Sequence, residues 1–122
     1  MQGLHLTADA QGCAADTPAL TDIDALRALC LGAVAAVGLT PVGELFHRFA
    51  GGAGITGVVL LAESHLAVHT WPELGAVTLD AYVCNFGGDN SQSAGALIEA
   101  LLAAFAPRRV DRQRLERGRG LR

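Results

Sequence analysis

The sequence predicts an α+β fold, a two-layer α/β sandwich in which an antiparallel sheet of four or more strands carries two helices on one face. Apolar residues recur at helical spacing in two segments, one in each half of the chain. The segments between them alternate or run apolar in the manner of strands. A chain of 122 residues can build one hydrophobic core and is short for two, so residues 1–122 are expected to form a single domain.

The first strand and the first helix follow from the opening forty residues. Gly3–Ala8 alternates apolar and polar side chains as a strand does, and a loop follows at Gln11–Leu20. Thr21 is expected to cap a helix, with Asp24 three residues later as in a capping box, and Gly38 is expected to end it. The apolar positions of this helix recur at helical spacing: Leu26, Leu29, Cys30, Ala33, Val34 and Val37.

Four strand-like segments fill the middle of the chain: Val42–Phe49, Ile55–Glu63, Ser64–Trp71 and Ala76–Cys84. The apolar run that begins at Ile55 is broken by a single threonine, Thr56, which is typical of a strand buried in a sheet. The last two segments alternate, so one face of the sheet should pack on the core, and the other should be polar or covered by a second subunit. The glycine-rich turn Ala50–Gly54 lacks the Lys-Ser/Thr ending of a phosphate-binding loop.

A second helix and an arginine-rich tail complete the chain. After a loop at Asn85–Asn90, Ser91 or Ser93 is expected to open a helix that ends before Pro107. The tail carries seven arginines, and its pattern is compatible with a last strand or with a disordered basic end, the solvated segment being the commoner case. No aromatic residue interleaves with the arginines, so a nucleic-acid-binding arm is not expected.

Composition argues against several functional classes. No apolar run approaches the ~20 residues that a bilayer-spanning helix needs, so no membrane partner is expected. The N-terminus lacks a signal-peptide pattern, and a cytoplasmic location is expected. Three widely spaced cysteines do not suggest disulfides or a CxxC metal site, and a net charge of −3 does not attract nucleic acid. All nine basic residues are arginine, so any Schiff-base chemistry needs a carbonyl made from the chain itself.

A histidine-containing segment at the centre of the chain raises the question of metal binding. His65, His69 and Glu73 are spaced by four, which would place them on one face of a helix. Pro72 and the period-two pattern argue against a helix there. No cysteine pair or HExxH motif completes a ligand set, and we expect no metal site.

The Glu63–Ser64 junction places a hydroxyl at the end of a buried strand, where packing does not require one. One interpretation is a nucleophilic serine with a histidine base, although the GxSxG motif is absent. Another is that Ser64 Oγ attacks the carbonyl carbon of Glu63 and converts the peptide bond to an ester. Loss of the Ser64 α-proton would then release the Glu63 carboxylate, and hydrolysis of the resulting dehydroalanine would leave a pyruvoyl group and ammonia.

The segment Ala62-Glu63-Ser64-His65-Leu66-Ala67-Val68-His69-Thr70-Trp71-Pro72-Glu73 resembles the processing-site motif of the short prokaryotic S-adenosylmethionine decarboxylases, which are pyruvoyl-dependent enzymes. The resemblance covers nearly the whole chain and includes the opening Gly-x-His strand, Gly12-Cys13, Thr56-Gly57, Asp80 and Cys84. A dozen consecutive matching positions around a self-cleaving bond are far more specific than a two-residue pattern.

The resemblance implies that the chain cleaves itself between Glu63 and Ser64 into residues 1–63 and 64–122, and that Ser64 becomes the pyruvoyl cofactor. It also implies five further roles: His69 as proton acceptor in processing, Thr56 as an aid to the acyl shift, Cys84 as proton donor to the substrate carbon, Glu73 on the ribose hydroxyls, and Phe49 against adenine. Cys84, Thr56 and Phe49 also have ordinary structural interpretations, as a buried thiol, a strand former and a core aromatic. His5, His47 and His65 are left outside the catalytic set.

The implied reaction converts S-adenosylmethionine to its decarboxylated form and carbon dioxide for spermidine synthesis, in a homodimer with sites built between subunits. Two loops depart from the family pattern, Ala50–Gly54 and Asn85–Gly88. Because both would border the substrate, ornithine or arginine remains an alternative substrate for the same pyruvoyl chemistry. An uncleaved, non-catalytic relative is the alternative from another class.

Overall fold

A six-stranded antiparallel sheet with two helices packed on one face forms the molecule, as a computed structural model of residues 2–85 and 88–120 shows. The elements in chain order are β1 (Gly3–Gln11), α1 (Ile23–Ala36), β2 (Pro41–Arg48), β3 (Ile55–Leu61), β4 (Ser64–Trp71), β5 (Ala76–Cys84), α2 (Ser91–Phe105) and β6 (Arg109–Arg117). The strands lie in the order β2-β3-β4-β5-β1-β6. The predicted α+β sandwich is confirmed.

The hydrophobic core lies between the sheet and the two helices. Alternate residues of β3, β4 and β5 point into it and are buried: Ile55, Val59, Leu61, Leu66, Val68, Val77, Leu79 and Ala81. The helices contribute Leu26, Cys30 and Val34 from α1 and Leu97, Leu101 and Phe105 from α2. Cys30 is fully buried, as predicted for a core residue. Burial raises the pKa of its thiol to about 12.

The opposite face of the sheet, called here the open face, has no helix over it in the part of the chain that the structure describes. The alternating residues that point away from the core lie on it, and several are large and apolar. Leu45 is 71% exposed, and Leu60 is 49% exposed. The histidines of β4, His65 and His69, also lie on this face, because they alternate with the buried Leu66 and Val68.

Helix α1 begins one residue later than predicted. Asp22, and not Thr21, is its N-cap, and one carboxylate oxygen of Asp22 accepts hydrogen bonds from the backbone N–H groups of Asp24 and Ala25. A carboxylate is a stronger acceptor than a hydroxyl and also complements the helix dipole. Asp24 therefore supplies a backbone N–H to the cap in place of the predicted capping-box side chain.

The arginine-rich tail forms a strand, which is one of the two alternatives that its sequence allows. Strand β6 pairs with β1 at the edge of the sheet, from Gly3 opposite Arg117 to Gln11 opposite Arg109. Arg112 of β6 forms an ion pair with Glu99 of α2, with 2.9 Å between Arg112 Nη2 and Glu99 Oε1. Neither α1 nor α2 combines the length and the apolar character that a bilayer crossing demands.

Candidate active site

The bond between Glu63 and Ser64 lies in a two-residue hairpin between β3 and β4. Leu61 pairs with Ser64, so Ala62 and Glu63 form the turn, and the predicted continuation of the third strand to Glu63 is wrong. Glu63 has φ of 56°, the left-handed conformation that side chains with a Cβ rarely adopt. Ser64 is the first residue of β4 and follows the turn directly.

The hydroxyl of Ser64 is fixed by the neighbouring strand. The backbone N–H of Cys84, the last residue of β5, donates a hydrogen bond to Ser64 Oγ at 3.0 Å. Cys84 is itself 5% exposed. An N–H group aimed at an oxygen orients it and stabilises negative charge that develops on it. Glu63, Ser64 and Cys84 are thus brought together at one end of β4, called here the Ser64 end.

A cavity of about 380 Å³ opens beside the scissile bond. Its lining consists of Leu61, Glu63, Ser64, His65, Tyr82 and Arg117. The ring of His65 stacks on that of Tyr82, with 5.7 Å between the centroids, so these two side chains form one wall. A small substrate that approaches Ser64 from this cavity would meet aromatic and basic groups.

The other end of β4, called here the His69 end, gathers the remaining candidate residues. His69 pairs with Thr56 across β3 and β4, and its Nδ1 is hydrogen-bonded to Thr56 Oγ1 at 3.1 Å. A cavity of about 330 Å³ there is lined by Phe49, Thr56, His69, Trp71 and Glu73, together with the backbone around Gly54. Four residues singled out from the sequence therefore share this second cavity.

The two ends are far apart within one protomer. Ser64 and His69 are five residues apart on an extended strand. At a rise of ~3.3 Å per residue, their Cα atoms are about 16 Å apart. His69 cannot reach the α-proton of Ser64 in the same chain without dismantling β4. The structure therefore divides the predicted residues into two groups and does not assemble them around one centre within a protomer.

A chain of polar contacts on the open face involves residues that the sequence left outside the catalytic set. Asp80 Oδ1 lies 2.6 Å from His5 Nε2 and 3.3 Å from His65 Nε2. Arg117 Nη1 lies 3.3 Å from His5 Nδ1. A guanidinium can only donate, so His5 Nδ1 accepts and His5 Nε2 carries the proton that it donates to Asp80. Sequence alone could not join residues as distant as His5 and Asp80, because their contact depends on β1 pairing with β5.

The same cluster bears on metal binding. One ligand atom from each of His5, His65 and Asp80 lies within 4.8 Å of the others. However, a histidine nitrogen that donates its proton to a carboxylate has no lone pair for a metal ion. Arg117 holds His5 in that tautomer, so the geometry favours a hydrogen-bonded chain over a metal centre. The trio considered from the sequence is spread along β4 and beyond, since His65 and His69 are about 13 Å apart at strand rise.

The segment after Cys84 is tied back to the site by hydrogen bonds. The Asn90 side chain donates to the carbonyl oxygen of Cys84 at 2.9 Å, and Asn85 Oδ1 accepts from the Asn90 backbone N–H at 2.8 Å. Of the predicted departure at Asn85–Gly88, residues 86 and 87 lie outside the described part of the chain. The ordered contacts at Asn85 and Asn90 hold the end of β5 against the start of α2.

Comparison with known proteins identifies the family. Residues 4–118 match the family model described as S-adenosylmethionine decarboxylase. The S-adenosylmethionine decarboxylase proenzyme of Aquifex aeolicus is 41% identical over 116 residues, which cover 95% of this chain and 81% of that protein. The proenzyme of Pyrococcus abyssi is 35% identical over 104 residues, covering 85% and 73% of the two chains.

A solved structure shows the same fold. The crystal structure of the adenosylmethionine decarboxylase from Aquifex aeolicus superposes with a TM-score of 0.82 at 37% identity, covering 93% of this chain and 88% of that one. The fold and the site together define a class of protein, a two-layer α+β domain in which a serine is held at a hairpin. The chain belongs to the S-adenosylmethionine decarboxylase family.

Proposed function

We propose that the protein is a precursor that cleaves itself between Glu63 and Ser64 and then decarboxylates S-adenosylmethionine. The decarboxylated product supplies spermidine synthesis. The observation that carries this proposal is the hairpin itself, where the hydroxyl of Ser64 is fixed by the Cys84 backbone N–H next to a left-handed Glu63. The relatives named as proenzymes of this decarboxylase support it.

The residues at the Ser64 end fit a pyruvoyl group formed from Ser64. Cleavage would make residue 64 a chain end that projects from the first position of β4 into the 380 Å³ cavity. The Cys84 N–H already points at the Ser64 side-chain oxygen. A pyruvoyl group supplies an electron-accepting carbonyl that can condense with the substrate amine. This chain has no lysine whose amine could form a Schiff base or hold pyridoxal phosphate instead. Cys84 lies at this end and is proposed as the group that delivers a proton to the substrate carbon.

The proposed cleavage has two steps, an acyl shift and an elimination. Ser64 Oγ forms a bond to the carbonyl carbon of Glu63 as the Glu63–Ser64 C–N bond breaks, and the hydroxyl proton ends on the freed nitrogen. Removal of the Ser64 α-proton by a base then breaks the Cβ–Oγ bond and releases the Glu63 carboxylate. His69, hydrogen-bonded to Thr56, is proposed as that base.

A second copy of the chain is needed to bring that base to the bond, because the two lie about 16 Å apart in one protomer. We infer a homodimer in which the open faces meet about a two-fold axis that lies between the two sheets, perpendicular to β4 and near its middle. Such an axis places the His69 end of one protomer against the Ser64 end of the other. The exposed Leu45 and Leu60 of the open face support this, because apolar sheet faces are usually covered.

The lining of the His69 end favours S-adenosylmethionine over ornithine or arginine as the substrate. Phe49 and Trp71 offer aromatic faces for an adenine ring and for a cationic sulfonium. Glu73 offers a carboxylate that can accept hydrogen bonds from ribose hydroxyls. The side chains of ornithine and arginine would leave most of this aromatic surface unused.

Intact-mass measurement of the purified protein tests the proposal. The wild-type chain should convert with time to two fragments that divide between residues 63 and 64, whereas Ser64→Ala should stay at full length. Carbon dioxide release should then follow addition of S-adenosylmethionine, in parallel with ornithine and arginine as controls. A wild-type chain that stays whole after long incubation contradicts the cleavage, and release from ornithine or arginine alone contradicts the substrate.

A further inference from the structure

The turn that contains the scissile bond has an unfavourable conformation. In a two-residue hairpin, the preferred turns have a positive φ at both turn residues or at the first, because their twist matches that of the strands. Here Glu63, the second residue, is left-handed at φ 56°, and Ala62 is not. This is the type II pattern, which splays strands and calls for glycine or asparagine at the second position. Glutamate is neither of these residues.

The side chain of Glu63 does not compensate for this conformation. It is exposed and makes no hydrogen bond or ion pair with the other described residues. Asparagine and aspartate tolerate the left-handed region because their short side chains bond to the local backbone, which the longer glutamate does less well. Among the non-glycine residues that the structure describes, only Ala106 shares a positive φ, at the end of α2.

The surrounding sheet holds the turn in place. Strand β3 pairs with β4 in register from Thr56 opposite His69 to Leu61 opposite Ser64. Ser64 is also fixed through its side chain by the Cys84 N–H. Local strain persists where neighbouring structure over-determines the conformation, and such sites concentrate where reactions occur.

We propose that the left-handed backbone of Glu63 is strain that drives the self-cleavage, which makes Glu63 a positioning residue for the reaction. The inference rests on the proposed cleavage. In the acyl shift, the Glu63 carbonyl carbon exchanges its bond to the Ser64 nitrogen for a bond to Ser64 Oγ, and the hydroxyl proton moves to that nitrogen. The ester inserts Cβ and Oγ into the path of the chain, so the turn lengthens and Glu63 can leave the left-handed region. The release of strain offsets the lower stability of an ester relative to an amide.

Two variants separate the effect of the backbone conformation at residue 63 from the effect of the Glu63 carboxylate. Glu63→Gly and Glu63→Ala both remove the carboxylate, but only glycine removes the Cβ that makes φ 56° unfavourable. Glu63→Gly should therefore cleave roughly 5- to 30-fold more slowly than Glu63→Ala, as followed by intact mass. Glu63→Asn, whose short side chain tolerates the left-handed region better than alanine does, should cleave at a rate between the two.

The strain has its own readout in a chain that cannot react. In a Ser64→Ala background, Glu63→Gly should raise Tm above that of Glu63→Ala by roughly 2–4 °C, part of the gain being offset by the greater freedom of glycine in the unfolded chain. In chains that keep Ser64, neutral hydroxylamine, which cleaves esters, should release less fragment from the Glu63→Gly precursor than from the Glu63→Ala precursor.

The possible outcomes distinguish this inference from the proposed function. If the wild-type chain never cleaves, both fail. If the wild type cleaves and Glu63→Gly keeps pace with Glu63→Ala, the strain inference alone is overturned. Equal slowing of both variants also overturns it, because the carboxylate would then be the group that matters. Slower cleavage by Glu63→Gly with a higher Tm in the unreactive background supports it.

Discussion

The two ends of strand β4 differ in what they can do. The Ser64 end has a hydroxyl fixed by a backbone N–H, a buried thiol residue and a strained turn, beside a cavity of about 380 Å³. The His69 end is aromatic, and its cavity is lined by Phe49, Trp71 and Glu73 beside the Thr56–His69 pair. One end carries the bond proposed to break, whereas the other carries the proposed base and the groups that could bind a nucleoside.

This division explains why one copy of the chain holds two incomplete sites. A strand is a rigid spacer, and the five residues from Ser64 to His69 keep the ends about 16 Å apart. Two antiparallel copies of the open face would put unlike ends together twice, which makes two complete sites. The inference of a dimer therefore comes from the spacing along β4 and does not rest on the apolar surface alone.

The sharpest test of the division is complementation, which has the largest expected effect. Ser64→Ala should abolish cleavage, and His69→Ala should slow it by ~10²–10⁴-fold, the usual contribution of a general base. When the two variants are co-expressed, a mixed dimer contains one site with an intact Ser64 and an intact His69. If pairing is random, about half of the His69→Ala chains should then be cleaved. Intact mass identifies the chain that is cut.

A matched control excludes indirect effects of co-expression. His69→Ala paired with the double variant Ser64→Ala/His69→Ala has no intact combination anywhere, so its chains should stay whole. Failure of the first pair to cleave would show that His69 does not act across the dimer. Equal cleavage in the control pair would show that the cleavage does not depend on His69 of the partner subunit.

A smaller effect is expected from Thr56→Val, which changes the His69 end while keeping its shape. Valine removes the hydroxyl that is hydrogen-bonded to His69 Nδ1, so the ring loses one of its orienting contacts. Loss of one such bond should slow cleavage roughly 3- to 10-fold. Thr56→Ser keeps the hydroxyl and serves as the control, and time courses of intact mass compare the two. A Thr56→Val chain that cleaves at the wild-type rate would remove Thr56 from the proposed machinery.

The elements of the fold could be predicted from local patterns, and their arrangement could not. Ser64–Trp71 and Ala76–Cys84 have the predicted bounds because alternation and turn residues mark both of their ends. The position of Arg109–Arg117 beside β1 depends on pairing across a hundred residues, which no local pattern encodes. The N-cap of α1 is Asp22 and not the predicted Thr21. Both residue types can cap a helix, so the choice between them depends on the geometry of the chain that enters the helix.

The candidate site shows the same limit. Its residues came from a resemblance, and the sequence does not show that they fall into two groups. That division follows from the strand conformation of β4, which turns a short separation in sequence into a long one in space. The sequence also does not predict the left-handed conformation of Glu63, because glutamate is not a residue type typical of such a turn position.

The smallest expected effect concerns metal ions at the Ser64 end. His5, His65 and Asp80 have the residue types and the proximity of a metal site, yet the donor from Arg117 places the proton of His5 on the nitrogen that faces Asp80. A chelator should therefore leave both the cleavage rate and Tm unchanged, and added zinc should not raise Tm. Arg117→Met provides the contrast, because it frees His5 to move its proton to Nδ1 and expose Nε2. Zinc should then stabilise Arg117→Met and not the same variant carrying His65→Ala. Stoichiometric zinc in the wild-type protein, lost on His65→Ala, would show that the cluster is a metal centre and that the Ser64 end is organised by an ion.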